Sequence, residues 1–568
     1  MPQEQIQATV DAIAAQQVPN QFGTQRYALL FKPGVYGSAA HPLNFQVGYY
    51  TEVAGLGRNP GDVVVNGSIY VRNQCDNGSC IALNNFWRSL SNLTINVTTP
   101  DFGCYSGEFW AVSQAAPMRR VHVIGQTTLM DYCSQPSYAS GGFIADSRFD
   151  NGVVINGSQQ QFYVRNSSLT GWTNGVWNQV FSGVTNAPAQ CFPGVARGCG
   201  PYTTVVATPV SREKPYLYVD DAGAYRVFVP SAAANSTGDT WSSGSTPGQS
   251  IPLSEFFLAR PSDSVATINS QLARGRNLLV TPGVYDIGRT IKVKRAHTVV
   301  LGLGLATLTA GHGAVAMSVA DVPGVDIAGL TIDAGPVNSP VLLQIGTERD
   351  KRGDDGADNL EQQSAEPTAV QDVFFRIGGP HAGRATTSLQ VNSDHVVHDD
   401  IWAWRADHGT GVGWTQNTAD TGVVVNGDDV NATGLFVEHY QKFQTIWNGE
   451  RGSVIFFQSE TPYDVPRQGA WKSSPATDGF AAVKISPDVR HFAGYGMGTY
   501  SFFNQGIDIF ADHAYEVPVT PGVQLHDLLT IFLDPVNGKG GIRHVVNDTG
   551  GSSTIANPDV PVTVVDFP

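Results

Sequence analysis

Short apolar runs, each a few residues long, recur at near-regular intervals along most of the chain, with Gly, Asn, Asp and Ser between them. In the first half they fall at 63–65, 69–71, 93–97, 121–124, 153–155, 162–164 and 176–181; in the second at 299–301, 325–332, 341–345, 373–377, 396–402, 421–425, 432–437 and 454–457. Runs of this length bounded by turn residues read as strands. Helical periodicity is nearly absent between them, which argues against a doubly wound α/β fold. Two amphipathic stretches stand apart, 5–17 and about 264–275, and each reads as a short helix capping the strands that follow.

The second helix belongs to a repeat. Leu29-Leu30-Phe31-Lys32-Pro33-Gly34-Val35-Tyr36, Gly55-Leu56-Gly57 and Leu93-Thr94-Ile95 return in the same order, after nearly the same shift, as Leu278-Leu279-Val280-Thr281-Pro282-Gly283-Val284-Tyr285, Gly302-Leu303-Gly304 and Leu330-Thr331-Ile332. One architecture has been duplicated. The pattern predicts an all-β protein of two tandem right-handed parallel β-helices, 1–211 and 259–568. Between them, 212–258 reads as a linker in which Tyr216-Leu217-Tyr218-Val219 and Tyr225-Arg226-Val227-Phe228-Val229 flank the turn Asp220-Asp221-Ala222-Gly223 as a hairpin. From Thr549 onward the chain reads as an irregular strap.

Chemistry-bearing side chains concentrate between 402 and 466. The step in sequence from Asp407 to Asp429 equals the step from Glu438 to Glu460, and both suit one coil of a parallel β-helix. Residues one coil apart stack about 4.8 Å apart on neighbouring rungs. Alternation puts Leu435, Val437 and His439 on one side of a strand at 434–440 and Phe436, Glu438 and Tyr440 on the other, while Glu460 shares a face with Gln458 and Phe456. Glu438 and Glu460 are therefore expected on one side of the coil, an arrangement suited to acid-catalysed attack on a sugar bond.

Composition narrows the partners. The net charge is −15 with only 15% charged residues and no run of Lys or Arg, which argues against nucleic acid or an anionic membrane. No segment approaches the apolar length that a membrane-spanning helix needs. A neutral substrate fits better, and 10 Trp offer faces for sugar rings, although for any single Trp ordinary core packing is the commoner role. Six cysteines, Cys75, Cys80, Cys104, Cys133, Cys191 and Cys199, lack paired metal-ligand spacing and point to disulfides in an oxidising compartment. Cys75–Cys80 and Cys191–Cys199 would close small loops and leave Cys104–Cys133, with other pairings open. No His, Cys and carboxylate spacing resembles a metal site, and no cofactor is implied. Met1-Pro2-Gln3-Glu4 carries no signal peptide; a trimmed, secreted protein with an added start methionine is the expectation.

Glu438-His439 followed by Gln458-Ser459-Glu460-Thr461-Pro462-Tyr463-Asp464-Val465-Pro466 resembles glycoside hydrolase family 55, the exo-β-1,3-glucanases or laminarinases. The resemblance extends through Gly141-Gly142-Phe143-Ile144-Ala145-Asp146-Ser147, Gly157-Ser158-Gln159-Gln160-Gln161-Phe162, Trp177-Asn178-Gln179-Val180-Phe181-Ser182-Gly183 and Gly496-Met497-Gly498-Thr499-Tyr500-Ser501-Phe502-Phe503, covering most of the chain in order. It implies inverting hydrolysis of β-1,3-glucan from the non-reducing end, with release of glucose, in a pocket between the two β-helices. It also implies a glutamic acid as proton donor, Glu460 first and Glu438 second, and a water held by Gln159, Gln161 and Ser182. Sugar contacts are expected from Asp407, His408, Trp402, Trp404, Trp414, Trp447, Tyr463, Tyr500 and Gln458, in a chain expected to be a monomer.

The residues leave alternatives beside this. Glu438 and Glu460 could be solvated surface acids, and Asn426-Gly427-Asp428-Asp429 is also strong turn chemistry. Asp407 with Asp428 and Asp429 could instead form a three-aspartate site of an α-1,3-glucanase or another β-helix polysaccharidase. A non-catalytic glucan-binding β-helix is a further reading. A polysaccharide lyase fits less well, since an anionic uronate substrate calls for a basic groove.

Overall fold

The computed structural model describes residues 2–76, 79–98, 107–130, 138–173, 175–193, 198–347 and 365–568. Two compact units divide the chain: Met1–Phe256 with Thr281–Gly283 and Leu301–Ala306, and Phe257–Val280 with Val284–Val300 and Thr307–Pro568. Both are parallel β-helices. Each opens on a helix, Gln3–Gln17 and Val265–Ala273, the second capped by the Ser264 hydroxyl accepting from the Thr267 N–H. The repeated Pro-Gly-Val-Tyr motif has the same backbone at its glycine in both copies, with Gly34 at φ 154° and Gly283 at φ 156°.

In the first unit the main sheet runs through Tyr27–Phe31, Thr51–Gly55, Arg88–Asn96, Met118–Ile124, Phe143–Ala145, Gln161–Arg165, Asn178–Ser182 and Tyr202–Val205, with a smaller parallel sheet through Glu108–Phe109, Thr127–Thr128, Val154–Ile155 and Trp172–Thr173. In the second unit one sheet runs through Asp326–Ala334, Thr368–Ile377, Val396–Arg405, Asn431–Glu438, Gly452–Glu460, Phe492–Ser501 and Val523–Phe532. The other runs through Ser339–Ile345, Ala385–Val391, Thr421–Val425, Thr445–Trp447, Val483–Ile485 and Ile509–Glu516. Inward positions such as Ile401, Leu435, Phe457, Met497 and Leu528 are buried in successive coils and stack in register. Burying such residues rung after rung is the main stabilisation of the fold, about 1.5–3 kcal/mol for each large apolar side chain.

Most main-sheet strands bend at one aligned residue in the left-handed region. In the second unit these residues are Gly329, Asp372, Asp400, Gly434, Phe456, Gly496 and Asp527, with φ between 49° and 72°. In the first they are Asn92, Arg120, Asp146, Asn166 and Gly183, with φ between 43° and 60°. Gly, Asn and Asp dominate the line because they tolerate this conformation best. The alternation expected through 434–440 and 454–460 is therefore interrupted at Gly434 and Phe456. Simple period-2 reading holds only on the C-terminal side of each bend, where Glu438 and Glu460 lie.

The expected hairpin is present, Tyr216–Val219 against Tyr225–Pro230, with Gly248–Pro252 as a third strand. It is tied to the first unit by buried ionic and polar contacts. Arg165 makes a two-pronged pair with Glu213 at 2.6 and 2.8 Å, and Asp146 accepts from Arg120 and from the backbone and hydroxyl of Thr240. The tail is no irregular strap. Val562–Phe567 pairs antiparallel with Val523–Phe532 and finishes the sheet. Cys191 and Cys199 form a disulfide; the backbone pairs Cys75 with Cys80 across a hairpin, and Cys104 and Cys133 lie outside the described residues.

Candidate active site

A single column of side chains crosses the main sheet of the second unit near the C-terminal ends of its strands. Asp333 pairs with Arg376, Arg376 with Trp404, Trp404 with Glu438, Glu438 with Glu460, and Glu460 with Tyr500. Two residues earlier a second column on the same face runs Phe374, Trp402, Phe436, Gln458 and Gly498. The Tyr500 ring folds back over Gly498, where a Cβ would meet its hydroxyl at 3.0 Å. The chain leaves these strand ends in loops of different length. The coil from Trp404 to Glu438 is longer than the coil from Glu438 to Glu460, yet both pairs sit on adjacent rungs.

The stacked glutamates are both buried, at 3% and 8% exposure for Glu438 and Glu460. Glu438 accepts 2.7 Å from the indole N–H of Trp402, its diagonal neighbour on the face. Glu460 accepts from the Tyr463 phenol and, at 3.4 Å, from the Gln458 amide. Burial pushes the Glu460 carboxyl well above the usual range, and the negative charges of Glu438 and then Asp407 add to the shift. A carboxyl raised by burial and by neighbouring acids in this way favours its protonated form, the environment a general acid needs.

The surrounding loops carry polar groups of mixed charge. Asp407, 26% exposed at its side chain, bonds His408 at 2.8 Å. Desolvation would raise its carboxyl, but the His408 hydrogen bond and the charges of His439 and His408 hold it down at about 2. His439, with φ 67°, ends the Glu438 strand; its ring contacts Thr461 O and packs 4.4 Å from the Tyr463 ring. Burial lowers the His439 imidazole, against the raising pull of Asp407 and of the Thr461 carbonyl. Trp402 and Trp404 are buried and stack on each other at 5.2 Å, and His408 packs against Trp404. Trp414 and Tyr463 are half-buried, and Tyr463 also packs on Phe502.

Several expectations change. Trp447 is 0% exposed inside the coil against Phe492, so it has no free face for a sugar. Trp402 is equally enclosed, and its polar edge serves Glu438. Asp407 does not stack on Asp429, although the two share the sequence spacing of the glutamates. Asp407 follows the end of Val396–Arg405, while Asp428 and Asp429 precede the start of Asn431–Glu438, so they lie at opposite ends of their strands. Asp428 caps the next corner by accepting from the Glu450 N–H, and Asp429 makes a two-pronged pair with Arg451. The three aspartates do not converge. Among the described residues no group of three or more His, Cys, Asp or Glu side chains is arranged to hold a metal.

In the first unit, Gln159 spends its amide on three backbone groups, donating to Val112 O and Leu129 O and accepting from the Gly141 N–H. Gln161 donates to Ser140 O, and its side-chain oxygen accepts nothing from the described residues. Ser182 sits in a buried hydroxyl chain, 2.7 Å from Tyr163 and 2.9 Å from Thr208.

The sequence reading missed Arg405. Buried at 1%, it grips Asp464 with two nitrogens at 2.9 and 2.7 Å and also donates to Asn417 O and His439 O. One guanidinium thus anchors the loop after its own strand and the loop that carries Tyr463 over Glu460. The partners lie far apart in sequence, and no local pattern announces the pairing.

Residues 256–460 match the family model of the LAM55 pectate lyase-like domain, a match that ends on Glu460. The chain is 48% identical over 563 residues to an exo-β-1,3-glucanase of Streptomyces sp. (strain SirexAA-E / ActE), covering 99% of this chain and 87% of that one. The structure of sacteLam55A from Streptomyces sp. SirexAA-E superposes with a TM-score of 0.90 at 47% identity, covering 99% of this chain and 96% of that one. A glutamate-to-alanine variant of that protein in complex with glucose superposes with a TM-score of 0.89 at 47% identity and the same coverage.

Proposed function

Since the chain belongs to glycoside hydrolase family 55, we propose that it is an exo-acting β-1,3-glucanase in which Glu460 donates the proton and glucose leaves from the non-reducing end with inverted anomeric configuration. The observation that carries the assignment is a buried glutamate whose carboxyl is pushed well up by burial and then by the charge of a second glutamate stacked one rung away. A relative of nearly full coverage is named an exo-β-1,3-glucanase, and a variant of the matching structure binds glucose.

The proton of Glu460 passes to the glycosidic oxygen as the bond from that oxygen to the anomeric carbon breaks. Positive charge then builds on the sugar ring, and the carboxylate of Glu438 opposes it. Water adds to the anomeric carbon from the far face and gives up one proton to solvent, from which Glu460 is reprotonated, so the products are α-glucose and a glucan shortened by one unit. An inverting enzyme needs about 6.5–9.5 Å between its acid and the group that activates water. Neighbouring rungs are closer than that, so Glu438 is read as a charge partner and not as the base. Gln161, with its unused side-chain oxygen, and Ser182, in its hydroxyl chain, are the groups retained for holding the water; Gln159 is read as their scaffold.

For sugar contacts the reading keeps the exposed or half-buried Asp407, His408, Trp414 and Tyr463; Trp404, Tyr500 and Gln458 are as enclosed as Trp402 and are read as backing the glutamate column. The Cys191–Cys199 disulfide supports action in an oxidising, extracellular setting.

Anomer-resolved NMR of laminarin digests tests the reading. Early α-glucose, nearly abolished by Glu460→Gln and weakened less by Glu438→Gln, is expected. Early β-glucose would remove the inverting mechanism, and the reverse ranking of the two variants would move the acid to Glu438.

A further inference from the structure

We propose that Trp402 is a positioning residue, whose indole N–H fixes Glu438 as the charged member of the pair and so keeps the shared proton on Glu460. This rests on Glu460 being the acid and adds the device that decides which of two stacked glutamates holds the proton.

The geometry is specific. Trp402 lies one strand before Glu438 and two residues short of its direct partner Trp404, which sets the indole edge diagonally against the carboxylate at 2.7 Å. The ring is wholly buried and stacked on Trp404 at an interplanar angle of 26°, so it cannot swing away or lie flat on a sugar. An indole N–H donates and never accepts, so it favours a carboxylate oxygen over a protonated one. Glu460 accepts from the Gln458 amide only at 3.4 Å, a much longer contact, and its other neighbour is the Tyr463 phenol, which can donate or accept and thus tolerates either state of the carboxyl.

Other titratable or charged groups face the pair from every side. Trp402's own strand and the loop after it bring Arg405, Asp407 and His408; the Glu438 strand brings His439 and Tyr440; the loop after Glu460 brings Tyr463 and Asp464; the next strand brings Tyr500. Arg405 is committed to Asp464, Asn417 O and His439 O. Asp407 acts on Glu460 from the loop, where His408 bonds it.

Two carboxyls with one proton have two arrangements, and they titrate as a pair. Without the indole N–H, the arrangement with Glu438 protonated and Glu460 bare gains ground. The acid limb of the kcat–pH profile then moves to higher pH, because Glu438 takes up a proton sooner as the pH falls. The basic limb, set by the last proton leaving Glu460, stays in place until the proton has largely changed sides. KM is expected to hold, since the ring is wholly buried.

The test is kcat and KM for laminarin hydrolysis against pH in the full chain, for Trp402→Phe, Glu438→Gln, their combination, and Glu460→Gln. Trp402→Phe is expected to lower kcat about 10- to 100-fold, the range for a hydrogen bond to a charged group, and to shift the acid limb upward. In the Glu438→Gln background the same change is expected to move neither limb. If Trp402→Phe folds poorly, replacing Trp402 with benzothienylalanine keeps the ring shape and removes only the N–H. A uniform fall in activity with unmoved limbs, or an equal limb shift in both backgrounds, overturns the assignment while leaving Glu460 as the acid. An active Glu460→Gln would instead overturn the acid assignment and this inference with it.

Discussion

Asp428 and Glu450 repeat the sequence spacing of Glu438 and Glu460 on the same two coils, and the two pairs occupy opposite ends of the same pair of strands. At the first end the acids are partly open to water, at 42% and 26% side-chain exposure, and are occupied by backbone N–H groups and cations. Asp428 accepts from the Glu450 N–H; Glu450 accepts from the Arg490 and His491 backbone. Desolvation raises the Glu450 carboxyl, but those two backbone donors and the His491 ring together hold it below the usual range. At the second end both acids are buried, Glu438 faces an indole, and the Glu460 carboxyl is pushed up. The stacking period is the same. The difference teaches that a coil period only brings acids together; burial and the sign of their partners decide whether they become structure or chemistry.

The comparison breaks most sharply at Glu460 itself. Glu460→Gln is expected to lower kcat on laminarin about 1,000-fold, within the range for losing a general acid. Glu450→Gln is expected to leave kcat within about 2-fold, because Glu450 only caps a corner. Losses of similar size in steady-state assays would mean the buried end holds no special acid. Next comes Glu438→Gln, read through pH. Removing the charge that raises Glu460 makes Glu460 lose its proton sooner as pH rises, so the basic limb of the kcat profile moves to lower pH. An unmoved limb would show that burial alone sets the Glu460 carboxyl.

Much of this contrast was legible in the sequence. Regular spacing placed Glu438 on Glu460, and alternation put both on one face, because the chain takes one uninterrupted coil between them. The same spacing misled for Asp407 and Asp429, because the loop after Arg405 lengthens that coil and carries the next aspartates to the far end of the strand. Insert length leaves no period to read. The bend at Phe456 was equally hidden, since most residues on its line are Gly or Asp and an aromatic gives no warning of φ 66°. The role of Trp402 depended on which edge of a ring meets a carboxylate, and that is set by packing. Arg405 and Asp464 were out of reach for the same reason.

Between the two acid ends a third buried group sharpens the rule. His398 stacks between Val370 and Ala432, and neither ring nitrogen has a hydrogen-bond partner among the described residues. Burial alone pushes its imidazole down to about 4. The folded state therefore keeps His398 neutral where the unfolded chain would protonate it. Its contribution to stability is intact above the ordinary histidine value and is lost as pH falls from about 6.5 toward 4, by up to about 3 kcal/mol. His398→Leu is expected to flatten that part of the Tm–pH curve; an unchanged slope would place the acid sensitivity elsewhere.

The smallest effect belongs to the exposed acid end. Asp428→Ala removes the acceptor for the Glu450 N–H, one bond in a run of corner contacts in which Asp394 serves the Asp428 N–H in the same way. Beside it, the Asn392, Asn426 and Asn448 amides bond from coil to coil and keep the corner in register. Because those amides remain, the loss is expected to be about 1 kcal/mol, the usual net worth of one hydrogen bond. Denaturant unfolding would read it as a small shift in midpoint with an unchanged slope. The kcat profile should keep both limbs, since the corner lies at the far end of the strands from Glu438 and Glu460. A shifted limb in Asp428→Ala would mean that the two ends communicate through the strands, and the division between structural and chemical acids would then be one of degree.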